Sequence, residues 1–256
     1  MAPHLLLTND DGVQAPGLLA LAQALADIGD VTILAPDRNW SASGHVKTMH
    51  RPLRAWPTRL ADGQPALASD GAPSDCVALA LLGLVQDPVD IVVSGINPSA
   101  NLGHDVTYSG TVTAAMEAAI AGIPGVAVSL DTPEGTSSPD YSRAAAETRR
   151  LVSQVLAHGL DHGVFLNVNV PYQPGTDPAT FKITRQGRRH YLDALVKRED
   201  PRGKPYYWIG GEAPTGVPEP NTDFWALTQG FVSVTPLQLD LTATDHLDTF
   251  ESWHLG

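Results

Sequence analysis

Two carboxylates stand side by side at Asp10 and Asp11, between Asn9 and Gly12 and directly after the apolar run Leu5-Leu6-Leu7. Adjacent acids repel each other unless a cation lies between them, and hard divalent cations take oxygen ligands. A solvated turn is the competing reading, because Asp and Gly are common turn formers. A second cluster, residues 36–45, offers the hydroxyls of Ser41 and Ser43, the Arg38 guanidinium and a flexible backbone, all of which a phosphate can use. An ordinary polar loop is the alternative there. Ser94-Gly95-Ile96-Asn97 is the third cluster, and Asn97 can give a metal a neutral amide oxygen. The fourth, Tyr108-Ser109-Gly110-Thr111, stands where a helix should begin. Free N–H groups at such a place point at a bound anion, although Ser109 can equally serve as a plain N-cap. Carboxylates plus neutral oxygens suit Mg²⁺ or Mn²⁺, and no Cys or His cluster at zinc spacing competes with them.

These four clusters gain force from the elements that must carry them. Leu5-Leu6-Leu7 and Val31-Thr32-Ile33-Leu34-Ala35 read as strands, and residues 16–28 between them have helical apolar spacing, with Pro16 at the first turn and Gly29 at the exit. A helix is expected from Ser74 through Val85, then the strand 90–94, a small-residue helix over 110–122 and the strand 125–130. A helix around 144–157 and the strand 164–168 should complete the main sheet. Near-continuous apolar strands alternating with helices predict an α/β core whose parallel sheet is covered on both faces. Right-handed crossovers then place every strand's C-terminal end on one rim, where ligands bind. All four clusters fall on that rim. Beyond Pro171 the texture changes. Segments 181–184, 206–209, 224–227 and 231–234 read as antiparallel strands, aromatic enough to suggest an arm that buries itself on another surface, and 245–255 reads as a short closing helix. The division expected is a catalytic core over 1–171 and an arm with its closing helix over 172–256.

Composition narrows the partners. Asp and Glu number 28 against 16 Lys and Arg, a formal charge of −12, which would repel a nucleic acid polymer. A small anionic substrate is compatible with that charge, since a bound cation reverses the local field. Cys76 is the single cysteine, so no disulfide within the chain is expected. Residues 1–7 lack the basic flank of a signal peptide, and no apolar run approaches membrane-spanning length, so a cytoplasmic protein without membrane contact is expected. There is no Gly-x-Gly-x-x-Gly after the first strand, no P-loop string and no Gly-x-Ser-x-Gly, which argues against dinucleotide oxidoreductases, P-loop hydrolases and α/β-hydrolase chemistry. A nucleotide sensor without turnover would not need two adjacent acids that repel its ligand.

Asn9-Asp10-Asp11-Gly12, Ala35-Pro36-Asp37-Arg38-Asn39, Ser94-Gly95-Ile96-Asn97 and Tyr108-Ser109-Gly110-Thr111 together resemble the survival protein SurE nucleotidases. The resemblance resumes at Asn167-Val168-Asn169-Val170-Pro171, Asp200-Pro201-Arg202-Gly203, Tyr207-Trp208-Ile209-Gly210 and Thr222-Asp223-Phe224, and so covers nearly the whole chain. It implies a metal-dependent phosphatase of nucleoside monophosphates, with one Mg²⁺ or Mn²⁺ per subunit at Asp10, Asp11, Ser41 and Asn97. It also implies a Rossmann-like three-layer core and a C-terminal arm exchanged between the subunits of a dimer or tetramer. Asp10, Asp11 and Asn9 are then the expected catalytic residues, and Asp10 is the first candidate to take the proton of the attacking water. Ser43, Ser109, Gly110 and Thr111 are expected to hold phosphate oxygens. Ala42, Lys47 and His104 depart from the family's usual residues.

Overall fold

The computed structural model describes residues 2–173 and 178–253, with side chains outside 191–193 and 211–214. β1 (His4–Thr8) leads through α1 (Pro16–Leu25) to β2 (Asp30–Pro36). A pair of strands, β3 (Ala55–Arg59) and β4 (Pro65–Ser69), precedes α2 (Pro73–Leu79), which runs on through a π turn at Ala80–Leu84. Then come β5 (Ile91–Asn97), α3 (Gly110–Ile120), β6 (Gly125–Asp131), α4 (Ser142–His158) and β7 (Val164–Pro171). The chain continues through β8 (Phe181–Ile183), the hairpin β9 (Arg188–Glu199) and β10 (Pro205–Val217), α5 (Asp223–Thr228) and β11 (Val232–Gln238). α6 (Leu247–Glu251) follows a 3-10 turn.

Nine strands form one sheet in the order β3-β4-β2-β1-β5-β6-β7-β11-β8, and β9 and β10 form a separate ribbon. Pairing is parallel from β4 across to β7. Period-two alternation explains the apolar run in β1, because Leu5 and Leu7 pack with Leu18, Leu21 and Val152 on the α1/α4 face. Leu6 packs with Cys76, Val77, Ala114 and Ala118 on the α2/α3 face. Burying each leucine stabilises by about 1.5–3 kcal/mol, and a one-residue slip of register would exchange the two faces. The expected α/β architecture with helices on both faces is therefore what the chain adopts.

The sheet does not end at Val168. β11 pairs antiparallel with β7, and β8 then pairs parallel with β11, so two segments expected as parts of an antiparallel arm extend the core sheet instead. Parallel neighbours need a long crossover, and the hairpin together with α5 provides it. Segment 224–227 is helical, not extended, because Thr222 caps the turn by accepting from Trp225 N–H at 3.2 Å and Asp223 occupies the first turn. That cap outweighs the strand preference of Phe224 and Trp225. The closing helix is shorter than 245–255, and Leu255 lies outside the described residues.

The topology makes the site. From β1 the chain moves to one side through β2 and β4, then returns to β5 on the other side of β1 and continues to β6 and β7. The order reverses between β1 and β5, and a reversal of this kind opens a crevice beyond the C-terminal ends of the two strands. Asn9-Asp10-Asp11 leaves one of those ends and Asn97 closes the other.

Candidate active site

A cleft of about 280 Å³ lies at this reversal, lined by Asp10, Asp11, Ser41, Asn97, Ser109 and neighbours from the loops that carry them. Asp10 is 4% exposed, and its Oδ1 accepts from Thr111 Oγ1 at 2.5 Å. Gly110 allows this approach, since a Cβ there would stand 2.8 Å from the Asp10 Cβ. The loop after β2 folds over the acids through Trp40 N–H to Asp10 O, 2.7 Å, and brings Ser41 with it. Asn39 braces that loop by accepting from Ser41 N–H at 2.7 Å.

Between Ser94 and Asn97 the pairing of β5 with β6 shifts register, and such an irregularity redirects a side chain at a strand's end. Asn97 donates through Nδ2 to Ser99 O, which leaves its Oδ1 as the atom able to ligate. Ser109 is the N-cap of α3, accepting from Val112 N–H at 3.2 Å, and it also lines the cleft. Thr111 is fully buried and turned to Asp10 rather than to the cleft. Asn9 and Ser43 stand in the loops after β1 and β2, next to residues that line the cleft but not lining it themselves. Asn9 Oδ1 and Ser43 Oγ are buried and lack a hydrogen-bond partner, a pattern that fits a polar guest close by.

Electrostatics mark the acid pair. Burial pushes Asp10 above the ordinary carboxylate range, against the bond from Thr111. Burial, reinforced by the charge of Asp10, pushes Asp11 up to about 7. By itself the pair therefore retains a proton near neutrality, and full ionisation calls for a cation. Among the described residues no group of three or more His, Cys, Asp or Glu gathers to hold a metal. A cation here would rest on two carboxylates completed by neutral oxygens, a donor set suited to a hard ion.

Several residues to which the sequence assigned no role at the site contribute to it. Asn101, Asp105 and Tyr108 line the cleft. Asn101 is held by its N–H to Asn169 Oδ1 at 2.8 Å, and its carbonyl accepts from Asn167 at 2.8 Å and from Asn169 at 3.1 Å. Two amides on one face of an apolar strand were the legible signal. Lys47, one of the departures, pairs with Glu117 of α3 at 3.1 Å, beside His45 at 2.8 Å. The His45 bond, aided by Lys47, holds Glu117 below the usual carboxylate range. Both contacts strap the Ser41 loop to α3. Arg38 stacks on Trp40, and neither Arg38 nor His104 lines the cleft.

The family model described as survival protein SurE matches residues 5–193. The chain belongs to the SurE family. Within that family it is 50% identical over 250 residues to the 5'-nucleotidase SurE of Chloroflexus aggregans, with 98% of each chain covered. It is 52% identical over 242 residues to the 5'-nucleotidase SurE of Herpetosiphon aurantiacus, with 94% of each covered. The crystal structure of the SurE protein from Aquifex aeolicus superimposes with a TM-score of 0.81 at 40% identity, covering 98% of this chain and 99% of that one. SurE proteins thus share both the sequence and the architecture of the molecule described here.

Proposed function

We propose that this chain is a nucleotidase that hydrolyses nucleoside 5'-monophosphates, and 3'-monophosphates where they fit, to nucleoside and phosphate. The observation that carries this reading is the convergence of Asp10, Asp11, Ser41, Asn97 and the N-terminus of α3 on one cleft at the reversal of strand order. Asp10 and Asp11, with the Ser41 hydroxyl and Asn97 Oδ1, would hold one Mg²⁺ or Mn²⁺ per subunit. When bound, the ion supplies positive charge that makes a water more acidic and offsets the charge of the phosphate. The first amides of α3 at Gly110 and Thr111, with the Ser109 hydroxyl that lines the cleft, would hold the remaining phosphate oxygens, and Asn9 and Ser43 would add to that cradle. Asp10 would accept the proton of the attacking water and return it to the departing nucleoside oxygen.

The decisive experiment is phosphate release from a panel of nucleoside 5'- and 3'-monophosphates and an aryl phosphate, with Mg²⁺, with Mn²⁺ and with EDTA. Metal-dependent release supports the proposal. Tight nucleotide binding with no release under any condition would replace it with a sensor. Thr111→Val should weaken Mn²⁺ binding by about 10–100-fold in titration calorimetry, because Asp10 loses a donor that favours its ionised form. Unchanged affinity would remove Asp10 from the ligand set.

The exposed arm supports a homo-oligomer, a dimer or tetramer in which the arm packs on a neighbour and walls its cleft. Leu195, Trp208 and Ile209 are 69%, 63% and 84% exposed, a display a lone subunit would leave to water. A monomer in sedimentation at micromolar concentration would contradict this. Among the described residues no helix is long and apolar enough to cross a membrane. The single cysteine, free and buried, suits a reducing compartment, and we place the enzyme in the cytoplasm.

A further inference from the structure

Asp223 is wholly buried, yet it does not line the cleft. Its Oδ2 accepts from Gly103 N–H at 2.7 Å. Its Oδ1 accepts from Gly187 N–H at 2.8 Å and from its own neighbour Phe224 N–H at 2.9 Å. Gly103 sits in the loop that delivers Asn101, Asp105, Tyr108 and Ser109 to the cleft, and Gly187 immediately precedes the arm. One carboxylate therefore joins the loop of the site to the root of the hairpin.

The surroundings agree. Gln186 Nε2 donates to Gly103 O at 2.9 Å, and Arg189 pairs with Asp105 at 2.9 Å. The Arg189 guanidinium also lies 5.6 Å from the centre of the Phe224 ring. That ring fills space left by two glycines, for a Cβ on Gly216 would meet it at 1.9 Å and one on Gly187 at 2.5 Å. Burying an acid of this kind is costly unless every oxygen has a partner, and these backbone amides provide partners at fixed positions.

We propose that Asp223 is a positioning residue of the nucleotidase site, fixing the 101–109 loop against the root of the arm so that Asp105 and Ser109 stand where the cleft requires them. The proposal rests on the reading of that cleft as the site of hydrolysis. Asp10, Asp11 and Asn97 lie outside the 101–109 loop, so loosening the loop should affect turnover more than cation binding.

The test is Asp223→Asn, which keeps the shape but turns a donor toward one of the two glycine amides. In the full chain, hydrogen exchange should speed up by about tenfold or more in 101–109 and 185–189 while β1 and β5 keep their protection. Turnover per folded molecule should fall by about tenfold or more, with KM changed less than about threefold and Mn²⁺ affinity preserved. Unchanged exchange in both segments, or faster exchange with wild-type turnover, would overturn the proposal. If the variant does not fold, the wild type decides the matter, since Gly103 and Gly187 amides that share one carboxylate should open together and exchange within about tenfold of each other. Rates set far apart, or no protection at either amide, would refute it. Inactivity of the wild type on every nucleotide would instead count against the nucleotidase reading and leave the exchange result to stand by itself.

Discussion

Asp10→Asn is expected to lower kcat/KM for nucleotide hydrolysis by about 1000-fold or more, while leaving the melting temperature unchanged or higher. The two readouts separate because Asp10 carries a charge in a place that disfavours charge. It is 4% exposed, and burial raises its proton affinity. Asparagine has nearly the same shape and can still accept from Thr111, so the packing against Gly110 survives. What is lost is the negative charge that holds a cation and the basic oxygen that receives a proton. Removing an uncompensated buried charge relieves the fold, so stability and activity move in opposite directions. Phosphate release within about tenfold of wild type, measured with metal present, would strip Asp10 of both roles.

A second large effect is expected in how stability depends on pH with and without metal. Burial, with the charge of Asp10, pushes folded Asp11 up to about 7 from the 3.8 usual for a free aspartate, and burial shifts Asp10 in the same direction. Between those values the folded chain binds more protons than the unfolded chain, so stability falls as pH rises. The metal-free melting temperature should therefore decline from about pH 5 to pH 7. Saturating Mn²⁺ should flatten that decline, because the cation takes the place of the proton. Below about pH 7 its apparent affinity should drop by about tenfold for each pH unit, as one proton competes. Asp131 and Asp223, also raised by burial, tilt the metal-free curve the same way. The difference between the two melting curves isolates the acid pair. Acids held below their usual range, such as Glu117 and Asp70, act in the opposite sense only at lower pH. A metal increment that is constant from pH 5 to 8 would dissociate the acid pair from cation binding.

Legibility in the sequence followed burial. β1, β2, β5 and β6 are covered on both faces, so their apolar runs announced them, and the turn residues after each announced the rim. The clustering of Asp10, Asp11, Ser41 and Asn97 was visible for the same reason. β3 and β4 were not, because Pro57 and Pro65 read as breaks, although β3 lies at the sheet's edge and Pro65 is the first residue of β4, two places that tolerate proline. β9 was missed as well, since Arg188–Glu199 mixes charged and apolar residues with no core face to impose alternation. The contacts of Asp223 were not legible, although Thr222-Asp223-Phe224 stood among the family-like motifs, because two of its partners are backbone amides 120 and 36 residues away. A side chain whose work is done on distant peptide groups leaves no pattern of types to read.

The neck of the hairpin has a meaning for how such proteins change. β8 and β11 are adjacent in the sheet, and everything between them leaves and re-enters the core at one place. That place is stitched by Arg185 N–H to Asn221 O at 3.0 Å and Asp223 N–H to Arg185 O at 3.1 Å. Residues added or removed at the hairpin's tip leave the stitches intact, and doubling such an excursion costs only about 0.6 kcal/mol in chain entropy. The length of the hairpin can thus drift across lineages at little cost to the core sheet and the stitches beneath it.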